Sequence, residues 1–212
     1  MPVLLRRPSI AVVTCLLTAA GCEKTSNVPR IDQSQSSGYV ATDFKDDAPA
    51  NATARSDLPL SFVDSDGNPV DLTQYRGKKK VVLIVLRGMP QSPGGVFCPS
   101  CLAQTSSLFA NQEEFAKRCA EVLVVFPGPT DRLGEFLQTA KRQTPGEPAR
   151  EFQVLLDREC KACDRLGIRD DLAKPSTYIL DTKGNLVYAY VGETSTDRPS
   201  VKALLAQLDR AQ

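Results

Sequence analysis

Val81-Val-Leu-Ile-Val-Leu86, a short loop, and then Phe97-Cys-Pro-Ser-Cys101-Leu-Ala-Gln104 form the stretch around which the chain is organised. Consecutive apolar residues, most of them β-branched, predict a strand buried on both faces, as in a parallel sheet. After the loop, Leu102, Leu108, Phe109 and Phe115 recur at helical spacing. The two cysteines therefore stand at the entrance to a helix. There the first backbone N–H groups lack intrahelical partners and the helix dipole adds partial positive charge. Both effects favour a thiolate at Cys98, and the thiolate is the attacking form. Cys101, one turn further on, is placed to close a disulfide with Cys98 and release a mixed-disulfide partner.

The rest of the chain extends this core. Leu60–Val63 and Val70–Leu72 flank Asp66-Gly-Asn-Pro69, a hairpin signal. Val122–Phe126 and Phe152–Leu156 are two further buried-strand runs. Between them Thr130 and Asp131 are candidate caps for a helix running to Lys141. Glu159–Leu166 reads as a short helix stopped at Gly167. Pro175–Asp181 and Asn185–Tyr190 flank a Lys183-Gly184 turn, and Val201, Leu204, Leu205 and Leu208 line a closing helix. Strands alternating with helices, ending in an antiparallel edge, describe an α/β sheet covered on both faces.

The N-terminal residues have a different character. Arg6-Arg7, the apolar run Ile10–Leu17 and small residues before Cys22 read as an export signal too short to span a membrane. Ala19-Ala-Gly-Cys22 resembles the lipobox of bacterial lipoproteins, which implies lipidation of Cys22 and removal of residues 1–21; an ordinary cleaved signal is the alternative. Residues 22–56 read as the anchored cysteine and a flexible, polar tether, and residues 57–212 as one domain. Without residues 1–21 the chain carries 24 bases against 25 acids, which gives no basis for nucleic-acid binding. There is no histidine, so histidine acid–base catalysis, Cys–His nucleophile pairs and most transition-metal sites are excluded. Export places the remaining cysteines where disulfides form and persist.

The central strand, Cys98-Pro-Ser-Cys101 on a helix, Pro175-Ser-Thr-Tyr-Ile-Leu-Asp181 and Lys183-Gly-Asn-Leu-Val187, in that order, resemble the thioredoxin-like superfamily from about Leu58 onward. Within it they resemble the exported thiol-disulfide oxidoreductases and the redoxin branch, similar to AhpC/TSA peroxiredoxins. Leu86-Arg-Gly88 ahead of Phe97-Cys98-Pro99 is similar to peroxiredoxin-like proteins that carry Arg-Gly, an aromatic and Cys-Pro; here eight residues, Met89–Val96, separate the two parts. The resemblance implies a thioredoxin-like fold: a central mixed sheet with helices on both faces and an N-terminal β-hairpin extension. It also implies that Pro175 is a cis-proline facing the reactive cysteine. In typical peroxiredoxins an arginine occupies the place of Pro175 and a threonine stands three residues before the attacking cysteine, where this chain has Gly95. Lacking those groups, the chain has less to stabilise charge developing on a peroxide oxygen. Thiol-disulfide exchange through Cys98 and Cys101 is therefore the leading expectation and thiol peroxidase the alternative, with Arg87 or Arg169 as stand-ins for the arginine.

The expected partners are protein thiols or disulfides, or a small-molecule oxidant, together with an upstream redox protein and a membrane reached through the lipid anchor. No cofactor is expected. Cys160 and Cys163 form a second Cys-x-x-Cys pair, read either as a structural disulfide or as a relay exchanging electrons with Cys98/Cys101 across a shared sheet edge or with an outside partner. A third class is non-catalytic: both pairs together holding one zinc ion, although 58 residues separate them. Cys119, just before a buried strand, reads as a core thiol.

Overall fold

The computed structural model describes residues 43–52, 58–89, 95–146, 148 and 152–211. Cys22, the signal segment and most of the predicted tether lie outside them. The sheet is built on β4 (Lys80–Val85), the apolar run quoted above. Its parallel neighbour β5 (Ala120–Phe126) pairs in turn with β6 (Gln153–Leu156), also in parallel. On the other side of β4 come the antiparallel β7 (Ser176–Leu180) and β8 (Leu186–Val191). The hairpin of β2 (Ser61–Asp64) and β3 (Pro69–Asp71) closes the opposite edge, giving the order β3-β2-β6-β5-β4-β7-β8. Among the described residues no helix is long and apolar enough to cross a membrane.

Alternation along β4 divides the interior into two cores. Val82, Ile84 and Leu86 face one core, filled by α1 (Pro99–Ala110), α2 (Gln112–Lys117), α3 (Leu133–Arg142) and α5 (Val201–Arg210). Val81, Leu83 and Val85 face the other, filled by α4 (Lys161–Leu166), Phe62, Val70 and Leu72. Since side chains alternate along a strand, a single run of apolar residues serves both layers. The predicted hairpins, buried strands and closing helix are all present. The helical run after Cys101 is broken at Asn111, whose side chain bonds back to the Ser107 carbonyl (2.8 Å). Thr130 and Asp131 do not cap α3 but form a 3₁₀ turn leading into it. Cys119 is not a core thiol: it is exposed, in a left-handed turn (φ 52°).

The fold also claims part of the predicted tether. β1 (Asp43–Lys45) pairs in parallel with β9 (Asp197–Pro199). Beyond it, Ala48 is buried and its carbonyl accepts the Tyr188 hydroxyl (3.0 Å), and Asn51 exchanges hydrogen bonds with Val191. Polar composition hides this segment because its anchorage is made by backbone pairing and polar side chains rather than by an apolar stripe.

Candidate functional site

Cys98 is the N-cap of α1, with Pro99 at the first helical position, where a missing N–H costs nothing. The Cys98 sulfur accepts the Cys101 N–H (3.3 Å), so the expected helix-end stabilisation is in place. Phe97, next to Cys98 in the chain, packs edge-on with Phe136 (centroids 5.6 Å apart), and the Arg132 guanidinium lies over its ring (5.0 Å). At the end of β4, Gly88 (φ 83°) passes so close to β5 that a Cβ there would stand 1.9 Å from the Pro127 carbonyl oxygen. Glycine is required for this approach, which sets the rim carrying Arg87.

The decisive group comes from the far end of the chain. Arg198, on β9, is 1 % exposed, and its Nη2 donates to the sulfurs of Cys101 (3.4 Å) and Cys98 (3.8 Å) and to the Ser195 carbonyl (3.1 Å). Its Nη1 donates to Gln104 Oε1 on α1. Neighbouring Asp197 fixes the strand: its carboxylate accepts Tyr190 Oη (2.7 Å), the Glu193 N–H (3.0 Å) and Lys45 Nζ (3.0 Å). Burial works against the Asp197 charge, yet the Tyr190, Glu193 and Lys45 bonds hold its pKa below the ordinary carboxylate value. β1 thus supplies one of the props beneath the arginine that faces the cysteines.

These contacts set the chemistry of the pair. Burial by itself would raise the Cys101 thiol, but the hydrogen bond from Cys98 and the Arg198 guanidinium overcome it and bring its pKa down to about 6. Cys98 moves the opposite way, raised by that same bond with Cys101 and by burial. One proton thus leaves the pair readily and the other is retained, so a single negative charge is shared between hydrogen-bonded sulfurs under one arginine. The sequence expectation of a thiolate on Cys98 alone is corrected to this shared charge, held more strongly at Cys101. Cys101 is only 1 % exposed whereas Cys98 is half-buried, so Cys98 is the sulfur an outside molecule can reach.

Two other expectations change. The Lys174–Pro175 bond is trans, as are all described peptide bonds, so the cis-proline implied by resemblance is not present. Pro175 is buried in a polar cleft with Arg87, Lys174, Glu193, Thr194 and Ser195, and its carbonyl accepts the Gly192 N–H (2.8 Å). Arg169 does not serve Cys98: it pairs with Asp164 (2.7 Å) and donates to the Glu159 and Cys160 carbonyls. Arg87 lines the cleft, and its backbone N–H supports the Cys101 thiolate. Arg198 was not singled out by sequence. Its only signal is Asp197-Arg198-Pro199-Ser200 ahead of α5, and nothing local distinguishes that arginine from a solvated one.

The second pair lies elsewhere. Cys160 and Cys163 pack in the core of α4, on the sheet face opposite Cys98 and Cys101. Four cysteines split in this way cannot ligate one ion, so the shared zinc centre is ruled out. Direct relay is opposed by the same separation, since a disulfide needs Cα atoms within about 7 Å. Burial and then Asp157 also raise the Cys163 thiol, and burial raises Cys160, the reverse of the lowering seen at Cys101.

A mixed sheet whose central parallel strand leads to a dithiol on a helix end defines the thioredoxin-like class. Within it, residues 44–189 match the AhpC/TSA family model, and the chain belongs to the AhpC/TSA family. It is similar to peroxiredoxin Bcp of Escherichia coli (strain K12), 24 % identical over 109 residues, covering 51 % of this chain and 60 % of that protein. The chain thus spans about 60 % of the length of the curated relatives it matches. Among solved structures it resembles peroxidoxin BcpB of Mycobacterium tuberculosis (TM-score 0.56, 18 % identity, 77 % of this chain and 99 % of that one). It also resembles a mutant of peroxiredoxin 6 of Arenicola marina (TM-score 0.61, 14 % identity, 75 % of this chain and 73 % of that one). These two likenesses concern the fold.

Proposed function

We propose that this redoxin is a thiol oxidoreductase that works by dithiol/disulfide exchange through Cys98 and Cys101. The observation that carries the reading is the buried Arg198 Nη2 donating to the sulfurs of both Cys101 (3.4 Å) and Cys98 (3.8 Å) at the start of α1. After transfer of the shared proton, the Cys98 thiolate attacks a substrate disulfide, forms a mixed disulfide and expels one substrate thiolate. Cys101, giving its proton to a departing substrate thiolate, then attacks the Cys98 sulfur, forms the Cys98–Cys101 disulfide and releases the second substrate sulfur. Two electrons pass to the substrate, and an upstream dithiol protein restores the pair. Cys101→Ser should accumulate mixed disulfides with substrate proteins and Cys98→Ser should not. Full insulin-reduction activity in both variants would sink the assignment.

A second reading is thiol peroxidase, favoured by Arg198 and by family. The arginine missing at Pro175 is supplied from β9, which removes one of the two arguments against peroxide; Gly95, without a hydroxyl, remains the other. In this reaction Cys98 takes one peroxide oxygen as sulfenate and releases an alcohol or water. Cys101 then displaces it as hydroxide to give the same disulfide. Stopped-flow mixing of reduced protein with hydrogen peroxide separates the readings. Slow consumption supports exchange, whereas a fast second-order reaction lost in Cys98→Ser establishes the peroxidase.

The proposal places the domain outside the cytoplasm, anchored through lipidated Cys22. Cys22→Ala should move the protein from membrane to soluble exported fraction, and unchanged membrane partition would reject the anchor.

A further inference from the structure

Exchange chemistry at Cys98 leaves unused a second set of reactive groups, Asp157, Cys160 and Cys163, within seven residues after β6. All three are buried: Asp157 is 6 %, Cys160 7 % and Cys163 0 % exposed. The segment is folded so that they converge. The Cys160 N–H returns to the Asp157 carbonyl (3.0 Å), and Cys160 takes a left-handed conformation (φ 52°, ψ 33°) that a non-glycine residue adopts only when its surroundings enforce it. The two Asp157 carboxylate oxygens accept the Ala162 and Cys163 N–H groups (3.1 Å each), which fixes the carboxylate plane. A carboxylate oxygen and the two sulfurs all lie within 4.8 Å of one another.

We propose that Asp157, Cys160 and Cys163 form a binding site for one thiophilic divalent cation of the zinc class. A tetrahedral zinc ion, with Zn–S of about 2.3 Å and Zn–O of about 2.1 Å, sets its sulfurs about 3.8 Å apart and sulfur to oxygen about 3.6 Å. The observed set, within 4.8 Å, therefore needs to close by at most about 1.0 Å between the sulfurs and about 1.2 Å between sulfur and oxygen, within reach of side-chain rotation. Binding releases both thiol protons to solvent, leaving two thiolates, one carboxylate and a dication with a net charge of −1. The Arg169 guanidinium, held by Asp164 (2.7 Å), also donates to the Glu159 (2.7 Å) and Cys160 (3.3 Å) carbonyls and so braces the turn that carries the ligands. The amides of Ala162 and Cys163 orient the carboxylate ligand from outside, as outer-shell donors do in metal sites. Bound metal would hold the β6–α4 turn closed, a structural role on the face away from Cys98.

The test is titration of the reduced, metal-free full-length protein with Cd²⁺, read by thiolate-to-metal ultraviolet absorption, in wild type and variants. The expected result is one Cd²⁺ bound by two thiolates in Cys98→Ser/Cys101→Ser, with affinity at least ~100-fold weaker in Asp157→Asn and Cys160→Ser. Circular dichroism of each variant separates lost binding from lost folding. X-ray absorption of the zinc-loaded Cys98→Ser/Cys101→Ser protein supplies a readout with the proposed ligands intact, expected to show two sulfur neighbours with the remainder oxygen. Retention of the site in Cys160→Ser, its loss in Cys98→Ser/Cys101→Ser, or a reduced protein that binds no metal while Cys160 and Cys163 oxidise to a disulfide would each overturn the proposal.

Discussion

The molecule contains the same four-residue spacing of cysteines twice, and the two copies behave oppositely. Cys98 and Cys101 sit under a buried arginine on one sheet face; Cys160 and Cys163 sit beside a buried carboxylate on the other. Both begin a helix and both follow a parallel strand. What differs includes the sign of the nearest buried charge: the Cys98 hydrogen bond and the Arg198 cation together bring Cys101 down to about 6, and the Asp157 anion assists burial in pushing Cys163 up. Spacing determines which sulfurs can meet. Chemistry is determined by the charge brought beside them through tertiary structure.

Arg198→Met should do the most to erase this contrast. Without the guanidinium the first pair should titrate at least one pH unit higher. Reaction of Cys98 with a disulfide probe at pH 6 should then slow about tenfold or more. Alkylation kinetics measured across pH check this, and an unchanged profile would remove Arg198 from the site. Asp157→Asn sharpens the comparison from the other side. It removes the anion beside Cys163, so the Cys163 thiol should ionise at lower pH, with no change in the titration of Cys98 and Cys101 across the sheet. Lys45→Met should have the smallest effect, because that lysine acts on Arg198 indirectly, through its ion pair with Asp197 (3.0 Å). A rise of a few tenths of a pH unit in the Cys98/Cys101 titration is expected, together with faster amide exchange in β9.

Much of this arrangement was legible in the sequence, and the failures share a cause. Val81–Leu86, the hairpins and the Cys98-Pro-Ser-Cys101 helix start are encoded by local periodicity and turn residues, and the structure contains them. Arg198 and β1 were not legible because their roles depend on partners far along the chain: Arg198 meets Cys101 across 97 positions, and β1 meets β9 across more. The opposite placement of the two cysteine pairs was missed for a related reason. The sheet rim was foreseen, but which face each following helix covers is fixed by the path of the connection rather than by the strand. Pro175 shows the limit of resemblance, since its surrounding motif is kept while its peptide bond is trans.

The central claim is that Arg198 makes Cys98 and Cys101, and not Cys160 and Cys163, the low-pKa pair. It is tested most directly by following thiolate ultraviolet absorbance against pH in fully reduced, metal-free protein. The account predicts one thiolate appearing with a midpoint near pH 6, retained in Cys160→Ser/Cys163→Ser and lost in Cys98→Ser/Cys101→Ser. Because that value lies below the unfolded thiol pKa of about 8.5, this thiolate's stabilisation of the reduced fold should be complete above about 8.5 and lost as the pH falls through about 6. A titration with no thiolate below pH ~8, or one that vanishes in Cys160→Ser/Cys163→Ser instead, would contradict it.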